Sequence, residues 1–361
     1  MVAKLRSSQI SPLLRGGRMA SSKLINSKMV NIGGRPVIVP NCQPGNSSQR
    51  GYALKLALAF VAIYVVWGST YLAIRYAVET IPPLVVAGVR HSFAGGIMLA
   101  WAYWRGFRPT RQQWIAGFAL GACYFLLGHG LLHWAEKYVD SGLSALLMAT
   151  EAMFIVILGW LMGQQKITLR SSLGLVLGFV GVAVLLGGQL SVRVSSLWGV
   201  AAVLLGSIAW SLGVVISPRL KLPEDALGRT ALPSLCGAAM LLVAAGASGE
   251  LQQTHWSAIS LRSLLGLGYL IVFGSVVAFT SYIWLLQRVP PTLVATHTYA
   301  NPVVAVILGW LLAHEPISLR VVLASLAILG AIVLIRRGER VEEIKVLTPR
   351  VAKMERSEEC A

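Results

Sequence analysis

The stretch VILGWLMGQQKITLR at residues 156–170 returns as VILGWLLAHEPISLR at residues 306–320, with nine of the fifteen positions identical. Each copy covers the end of one apolar run, a short polar connection and the start of the next run. The separation of 150 positions is long enough to hold several whole apolar runs. The sequence therefore predicts a chain made of two halves that share one plan.

The composition is that of a polytopic membrane protein. Of the 361 residues 56% are apolar and only 12% are charged, and the mean hydropathy is +0.69, whereas a soluble domain carries about 25% charged residues. The net charge of +17 comes from basic residues in the tails and loops, where they fix topology, so no nucleic-acid partner is expected. The four cysteines stand far apart without a CxxC pair, and no metal or other cofactor is expected.

Ten apolar runs are long enough, or nearly so, to cross ~30 Å of hydrocarbon at about 1.5 Å per residue. They cover residues 54–74, 83–104, 113–133, 141–162, 171–187, 197–217, 231–248, 263–286, 292–313 and 319–336. Outside the tails, the loops on the side of both termini carry nine Lys or Arg, and the opposite side carries five. The positive-inside rule then predicts that both termini are cytoplasmic.

The two copies of the repeated stretch lie five helices apart, at the junctions of helices 4 and 5 and of helices 9 and 10. Five is odd, so the second half is inverted in the membrane. The predicted fold is an all-α polytopic membrane protein with ten transmembrane helices in two inverted five-helix repeats, residues 54–190 and 197–337. Such repeats are typical of secondary transporters, because two similar halves can exchange unequal conformations and open a central site to each side in turn.

The two terminal tails are predicted to lie outside the five-helix repeats. Residues 1–50 hold eight Lys or Arg and no acid, which predicts a disordered basic tail. Two alternatives are an upstream start, with Met19 or Met29 as the first residue, and a transit peptide. Residues 338–361 are predicted to be a cytoplasmic C-terminal tail.

Four stretches resemble the drug/metabolite transporter superfamily, specifically its EamA-type exporters and among them the YedA-like members. They are VVWGSTYLAIRYAVETIPPLVVAGVR at 65–90, AEKYVDSG at 135–142, GSIAWSLG at 206–213 and THTYANPVVAVILGW at 296–310. The resemblance implies an inner (cytoplasmic) membrane location and efflux of amino acids, other metabolites or toxic compounds. It does not imply a particular substrate. One departure is Thr-Glu-Ala-Met at 150–153, where relatives often carry a proline.

Glu151 is the most informative single residue, because a charge near the middle of helix 4 costs a few kcal/mol on insertion. It could line a substrate cavity and couple transport to protons, or it could hydrogen-bond a neighbouring helix. Asn301 is its counterpart 150 positions later, followed by Pro302. Proline frees the carbonyl of Thr298, so a helix break is expected there. His297, Thr298 and Asn301 cluster around it and are candidates for the substrate cavity. This break could expose backbone to a ligand or be a packing kink.

Further residues are candidates for the substrate cavity. Their aromatic faces and hydroxyls suit small amphipathic molecules, although the same residue types are ordinary packing elements in helix bundles. They are Trp67, Ser69, Thr70, Trp210, Ser211 and Tyr282, with Trp67 and Trp210 as loose counterparts in helices 1 and 6. Arg90 could pair with Glu151 or attract an anion, but a structural role is favoured.

His129, His133 and Glu136 form one stripe at the end of helix 3. Two His at i and i+4 could hold a metal, but no further ligand is evident. Glu136 with Lys137 reads as a solvated helix end, and His129 is expected at the cavity.

The function predicted from these features is secondary-active export of small molecules by alternating access, with proton coupling left open. The alternatives are a passive facilitator and an intramembrane metal-dependent enzyme that uses His129 and His133. The sequence has no GxSxG or HExxH motif, so catalysis is not expected, and no P-loop, so ATP is not expected to drive the cycle. Besides a small-molecule substrate, the expected partners are membrane lipid and, as an open alternative, a second copy in a homodimer.

Overall fold

A computed structural model describes residues 27–32, 35–40, 46–164, 166–189, 194–286, 288–289, 294, 296–335 and 337. The chain divides into two compact units, Met1–Leu56 and Ala57–Ala361. The first unit contains the antiparallel strands β1 (Ser27–Ile32) and β2 (Arg35–Pro40). These strands lie within residues 1–50, for which the sequence predicts a disordered tail, and that prediction stays a prediction. They are rich in β-branched residues and flank a Gly-Gly pair, a combination that favours a hairpin.

Ten apolar helices follow in the described part of the chain. They are α1 (Gly51–Ala77), α2 (Pro83–Trp104), α3 (Arg111–Ala135), α4 (Ser141–Leu161), α5 (Leu169–Val184), α6 (Leu197–Arg219), α7 (Ala226–Ala247), α8 (Leu261–Tyr282), α9 (His297–Ala313) and α10 (Leu319–Ile335). Seven are long and apolar enough to cross a membrane, and α5, α9 and α10 are shorter. Helical turns extend α1 back to Asn46, α5 to Gln189 and α6 back to Val194. The ten predicted helices are confirmed.

Several of these helices are not regular. π-helical segments occupy Ala62–Val66 in α1, Ala122–His129 in α3 and Leu270–Val277 in α8. Helix α4 is interrupted by a turn at residues 149–150, directly before Glu151. Irregular segments of this kind are often found at functional sites, because they leave backbone groups to be satisfied by other partners.

The two repeats interleave. Helix α1 of the first repeat packs against α8 and α9 of the second, and α6 of the second packs against α3 and α4 of the first. We call these sets the α1 group (α1, α8, α9) and the α6 group (α3, α4, α6). The counterpart helices α2 and α7 pack face to face: a Cβ on Gly88 or Gly95 of α2 would lie within 3 Å of Leu242 or Leu235 of α7. Small residues thus bring these two helices into close contact.

The bundle has two ends. We call the end at which α1, α3 and α9 finish and α4 starts the far face, and the end at which α2, α4 and α6 finish the near face. At the far face α4 contacts both α1 and α9, so the two groups meet there.

Candidate functional site

An aromatic set lies at the centre of the α1 group. The ring of Trp67 is 5.2 Å from that of Tyr282 and 4.8 Å from that of His297, measured between centroids. The Trp67 indole donates to the carbonyl of Gly274, at 3.0 Å, which lies in the π-helical segment of α8. Three of the residues predicted to line the cavity are therefore brought together, and Trp67 is oriented by a backbone carbonyl that this segment leaves available.

The hydroxyls of Ser69 and Thr70 form bonds inside the protein. Ser69 donates to the carbonyl of Val66 at 2.8 Å and also bonds the phenol of Tyr269 in α8 at 2.7 Å. Thr70 donates to the carbonyl of Trp67 at 2.6 Å. The bond to Tyr269 ties α1 to α8, and the other two satisfy the carbonyls of the last residue of the π-helical segment of α1 and of the residue after it.

Asn301 links α9 to α1 through hydrogen bonds to backbone carbonyls. With its amide nitrogen turned toward the acceptors, it donates to the carbonyl of His297 at 3.0 Å and to those of Ile63 and Tyr64 at 3.2 and 3.3 Å. The latter two carbonyls belong to the π-helical segment of α1. Asn301 therefore bridges two helices through backbone groups that cannot all be bonded within their own helix.

The helix break expected at Pro302 does not occur. Helix α9 runs without interruption from His297 to Ala313 with Pro302 inside it. Proline there removes one intrahelical bond, to the carbonyl of Thr298, and the surrounding helical geometry persists. Helix α4 is interrupted at residues 149–150, where no proline is present. The Tyr64 and Thr296 hydroxyls form a further contact between α1 and the residues that precede α9.

A second aromatic set lies in the α6 group. The ring of Trp210 stacks on that of His129 with centroids 5.2 Å apart, and it lies 4.7 Å from the ring of Tyr124. Each group thus combines a tryptophan, a tyrosine and a histidine around the counterpart tryptophans of α1 and α6. Trp210 and His129, both predicted for the cavity, are in contact.

Glu151 is the first residue after the interruption in α4 and is half-buried. Its carbonyl accepts a hydrogen bond from Ser211 of α6 at 3.0 Å. Its carboxylate is close enough to Tyr71 of α1 and Tyr124 of α3 for its charge to act on both phenols. Glu151 therefore lies near residues of both groups, and its role in a cavity stays a prediction.

Arg90 is only 5% exposed, and the contact that the structure gives it is to α8 rather than to Glu151. Its Nε donates to the Ser275 hydroxyl at 3.3 Å, which in turn donates to the carbonyl of Leu270 at 3.0 Å. Both partners lie in the π-helical segment. This contact favours the structural reading of Arg90.

Three histidines form a row on α2 and α3. His91 Nε2 and His129 Nδ1 are 2.8 Å apart and share one hydrogen bond, and His133 Nδ1 donates to the carbonyl of His129 at 2.7 Å. Among the described residues, no group of three or more His, Cys, Asp or Glu is arranged to hold a metal ion.

The far face carries an ion-pair network that the sequence analysis missed. Arg75 at the end of α1 contacts Asp140 and Glu315, both at 2.7 Å. Glu315 also accepts from the backbone and hydroxyl of Ser141 at 2.9 and 2.7 Å and from the backbone of Gly142 at 3.0 Å. It thereby caps the first turn of α4, where a negative charge is favoured. We call Arg75, Asp140 and Glu315 the far-face clamp.

The clamp joins the two groups of helices. Arg75 and Glu315 belong to α1 and to the loop after α9, whereas Asp140 and the capped turn belong to α4. Gly309 makes the approach possible, because a Cβ there would overlap the Glu315 carboxylate. The two copies of the repeated stretch differ here, because Glu315 in the second copy corresponds to Gln165 in the first. This unmatched acidic residue was the feature of the sequence that could have indicated the clamp.

At the near face, α4 and α6 are hydrogen-bonded to each other. Gln164 donates to the carbonyl of Val215 at 2.9 Å, and Arg219 donates to that of Met162 at 3.1 Å. Arg219 ends α6 much as Arg75 ends α1.

Glu136 is not the solvated helix end expected from its neighbour Lys137. It is only 3% exposed, because residues 135–139 pack under the start of α6, where a Cβ on Gly199 would meet Val139. Burial raises the pKa of the Glu136 carboxyl well above its ordinary value, and the charge of Glu315 raises it further.

Comparisons with known proteins agree with this architecture. The model of the EamA-like transporter family matches residues 54–187 and 197–337. The inner membrane transporter YedA of Escherichia coli K12 is 36% identical over 290 residues, which cover 79% of this chain and 92% of YedA. The transporter YoaV of Bacillus subtilis 168 is 26% identical over 279 residues, which cover 76% and 94%. A solved crystal structure superposes with a TM-score of 0.56 at 20% identity, covering 80% of this chain and 99% of the other, and so shares the fold.

Proposed function

Because the chain belongs to the EamA-like transporter family, we propose that it is a secondary transporter that moves small molecules across the inner membrane by alternating access. The observation that carries the proposal is the far-face clamp, which ties the α1 group to the α6 group at the far end of the bundle through side chains and a capped helix start. Contacts of this kind can be broken and remade without unfolding either group.

In the proposed cycle the two groups rock against each other over the packed pair α2 and α7. The arrangement described above has the far face closed. Opening it requires Arg75 to leave Glu315 and Asp140, while the near ends of α4 and α6 approach the α1 group. Since the repeats are inverted, the two end states are related by exchange of conformation between the halves.

The substrate site in this proposal lies between Trp67 and Trp210, the centres of the two aromatic sets, with Glu151 beside them. Aromatic faces with one carboxylate suit a small amphipathic or cationic metabolite. The direction we propose is export of amino acids, other metabolites or toxic compounds, with both termini in the cytoplasm and the far face outside. Glu151 is the proposed carboxylate of the site, and Ser69, Thr70 and Asn301 hold its walls in position.

The test compares metabolites in the medium of cells that express the wild type, Glu151→Gln, Arg75→Ala or Arg262→Ala. Arg262 is a matched control, because it forms an exposed pair with Glu79 at the same face, at 3.3 Å. We expect a compound to accumulate outside with the wild type and Arg262→Ala and not with the other two. Full export by Arg75→Ala would show that the clamp plays no part in the cycle, and full export by Glu151→Gln would remove that residue from the site.

A further inference from the structure

We propose that Arg90 is the anion-binding residue of the substrate site, and that the transported molecule carries a carboxylate group. The inference rests on the proposed transport function, because it names the chemical class of molecule that the proposed site would take. Arg90 lies inside the membrane-spanning helix α2, where a charged side chain is costly and marks a candidate functional site.

Most of the hydrogen-bonding capacity of Arg90 is unused in the described structure. Arginine carries five N–H donors, and the contact with Ser275 uses only the one on Nε, at 3.3 Å. No carboxylate of the described residues forms an ion pair with it. The bond to Ser275 therefore orients the guanidinium and leaves its two terminal nitrogens free to bind an anion.

The terminal nitrogens of Arg90 border a space that water can enter. Within the described part of the chain, the polar side-chain atoms that are fully enclosed and have no partner belong to His133, Glu136, Ser144 and His297. The terminal nitrogens of Arg90 have no partner there either, and they are not among these enclosed atoms. They are therefore accessible although the residue as a whole is buried.

This end of Arg90 lies beside the aromatic set of the α1 group. A Cβ on Gly274 would be 3.5 Å from Nη2 of Arg90 and 2.8 Å from Cγ2 of Thr70. The carbonyl of the same Gly274 accepts the hydrogen bond of the Trp67 indole. Because glycine has no side chain, the guanidinium has room next to Trp67, which forms one wall of the proposed substrate site.

A cation and a carboxylate lie near the same side chain of α1. The charges of Arg90 and Glu151 both act on the phenol of Tyr71, as does that of Glu136. Arg90 and Glu151 do not form an ion pair with each other. A molecule that carries both a carboxylate and an ammonium group would meet Arg90 with the first and Glu151 with the second.

A carboxylate is the anion that suits Arg90 best. Its two oxygens accept parallel N–H bonds from a guanidinium in one plane, and a buried cation without a partner gains most from an opposite charge. Arg90 is the only buried Lys or Arg among the described residues. One positive charge balances one carboxylate, whereas a phosphate group would leave a second negative charge uncompensated.

The experiment measures the melting temperature of the purified full-length protein in detergent by tryptophan fluorescence. A ligand that binds only the folded state raises this temperature. The probes are a pool of common α-amino acids and the matched pool of their primary amides, which keep the ammonium group and the side chains but lack the carboxylate. We expect the wild type to bind the acid pool at least about tenfold more tightly, because one lost hydrogen bond to a charged group has this effect. Equal stabilisation by the two pools, or none by the acid pool, would overturn the proposal.

Variants assign this preference to Arg90. Arg90→Gln should bind the two pools equally, whereas Arg262→Gln, a control at an exposed arginine, should keep the preference for the acids. Glu151→Gln should weaken the binding of both pools, because both carry the ammonium group, and should preserve their ratio. Persistence of the preference in Arg90→Gln, or its loss in Glu151→Gln, would contradict the assignment. If Arg90→Gln does not fold, the comparison of the two pools on the wild type still decides.

The binding measurement requires no transport, so its failure differs from failure of the proposed function. Export of a molecule that lacks a carboxylate would contradict this inference and leave the transport function in place. Binding of the acid pool at Arg90 without any export would support the site and contradict transport.

Discussion

Replacing Glu315 by Gln tests whether the far-face clamp keeps that end of the bundle closed. The carboxylate is only 7% exposed, forms the ion pair with Arg75 and accepts three hydrogen bonds from the first turn of α4. A hydrogen bond to a charged group contributes about 1.5–3 kcal/mol. Glutamine keeps one acceptor and loses the charge, so we expect the closed state to lose about 3 kcal/mol, or roughly a hundredfold in the ratio of open to closed.

The assay is labelling of a cysteine at position 144 in an otherwise cysteine-free chain, with a membrane-impermeant maleimide added from the far side. Ser144 is fully buried below the clamp, so its labelling rate reports the open fraction. Glu315→Gln should raise the rate by roughly two orders of magnitude. Glu79→Gln, which removes an exposed pair, should change it little. Equal rates in the wild type and Glu315→Gln, with both variants folded, would refute the reasoning.

Three further outcomes follow from the same contacts. Gly309→Ala should raise labelling at position 144 as Glu315→Gln does, because its Cβ would displace the Glu315 carboxylate, whereas Gly96→Ala, which meets no neighbour within 4 Å, should leave it unchanged. Asn301→Ala should lower stability by about 1–3 kcal/mol through carbonyls left unbonded, measured as an earlier melting transition by size-exclusion chromatography of heated samples. The ratio of labelling at position 144 to labelling of an exposed control cysteine, which cancels the rise caused by thiol ionisation, should increase as the pH rises through the raised pKa of Glu136, because the closed state holds that proton. The same ratio should be flat with pH in Glu136→Gln.

The sequence was sufficient for the membrane fold, because apolar runs of spanning length and a repeat five helices apart leave few alternatives. It also selected residues that do meet, such as Trp67 with His297 and Trp210 with His129. These predictions rest on local periodicity and on the symmetry between the halves, both of which are visible in one chain.

Other features depend on contacts between distant segments, and the sequence could not reveal them. Glu136 next to Lys137 has the pattern of a solvated helix end, and only the packing under α6 buries it. In the sequence, Arg75 is one of the basic residues of a loop. Its ion pairs with Asp140 and Glu315 form only because the start of α4 and the loop after α9 pack beside it. The interruption of α4 before Glu151 occurs without proline. The sequence therefore has no helix-breaking residue there from which the interruption could be predicted.

The π-helical segments of α3 and α8 occupy positions that correspond at an offset of 148, whereas the repeated stretch corresponds at 150. An alignment of the two halves must therefore contain a two-position gap between the π-helical segments and the repeated stretch. An ungapped alignment would pair the wrong residues throughout the third and eighth helices. An α-helix turns by about 100° per residue. Deleting one residue from 122–129 would rotate His133 and Glu136 by that angle, so indels in this segment should be tolerated far less than indels in the loops.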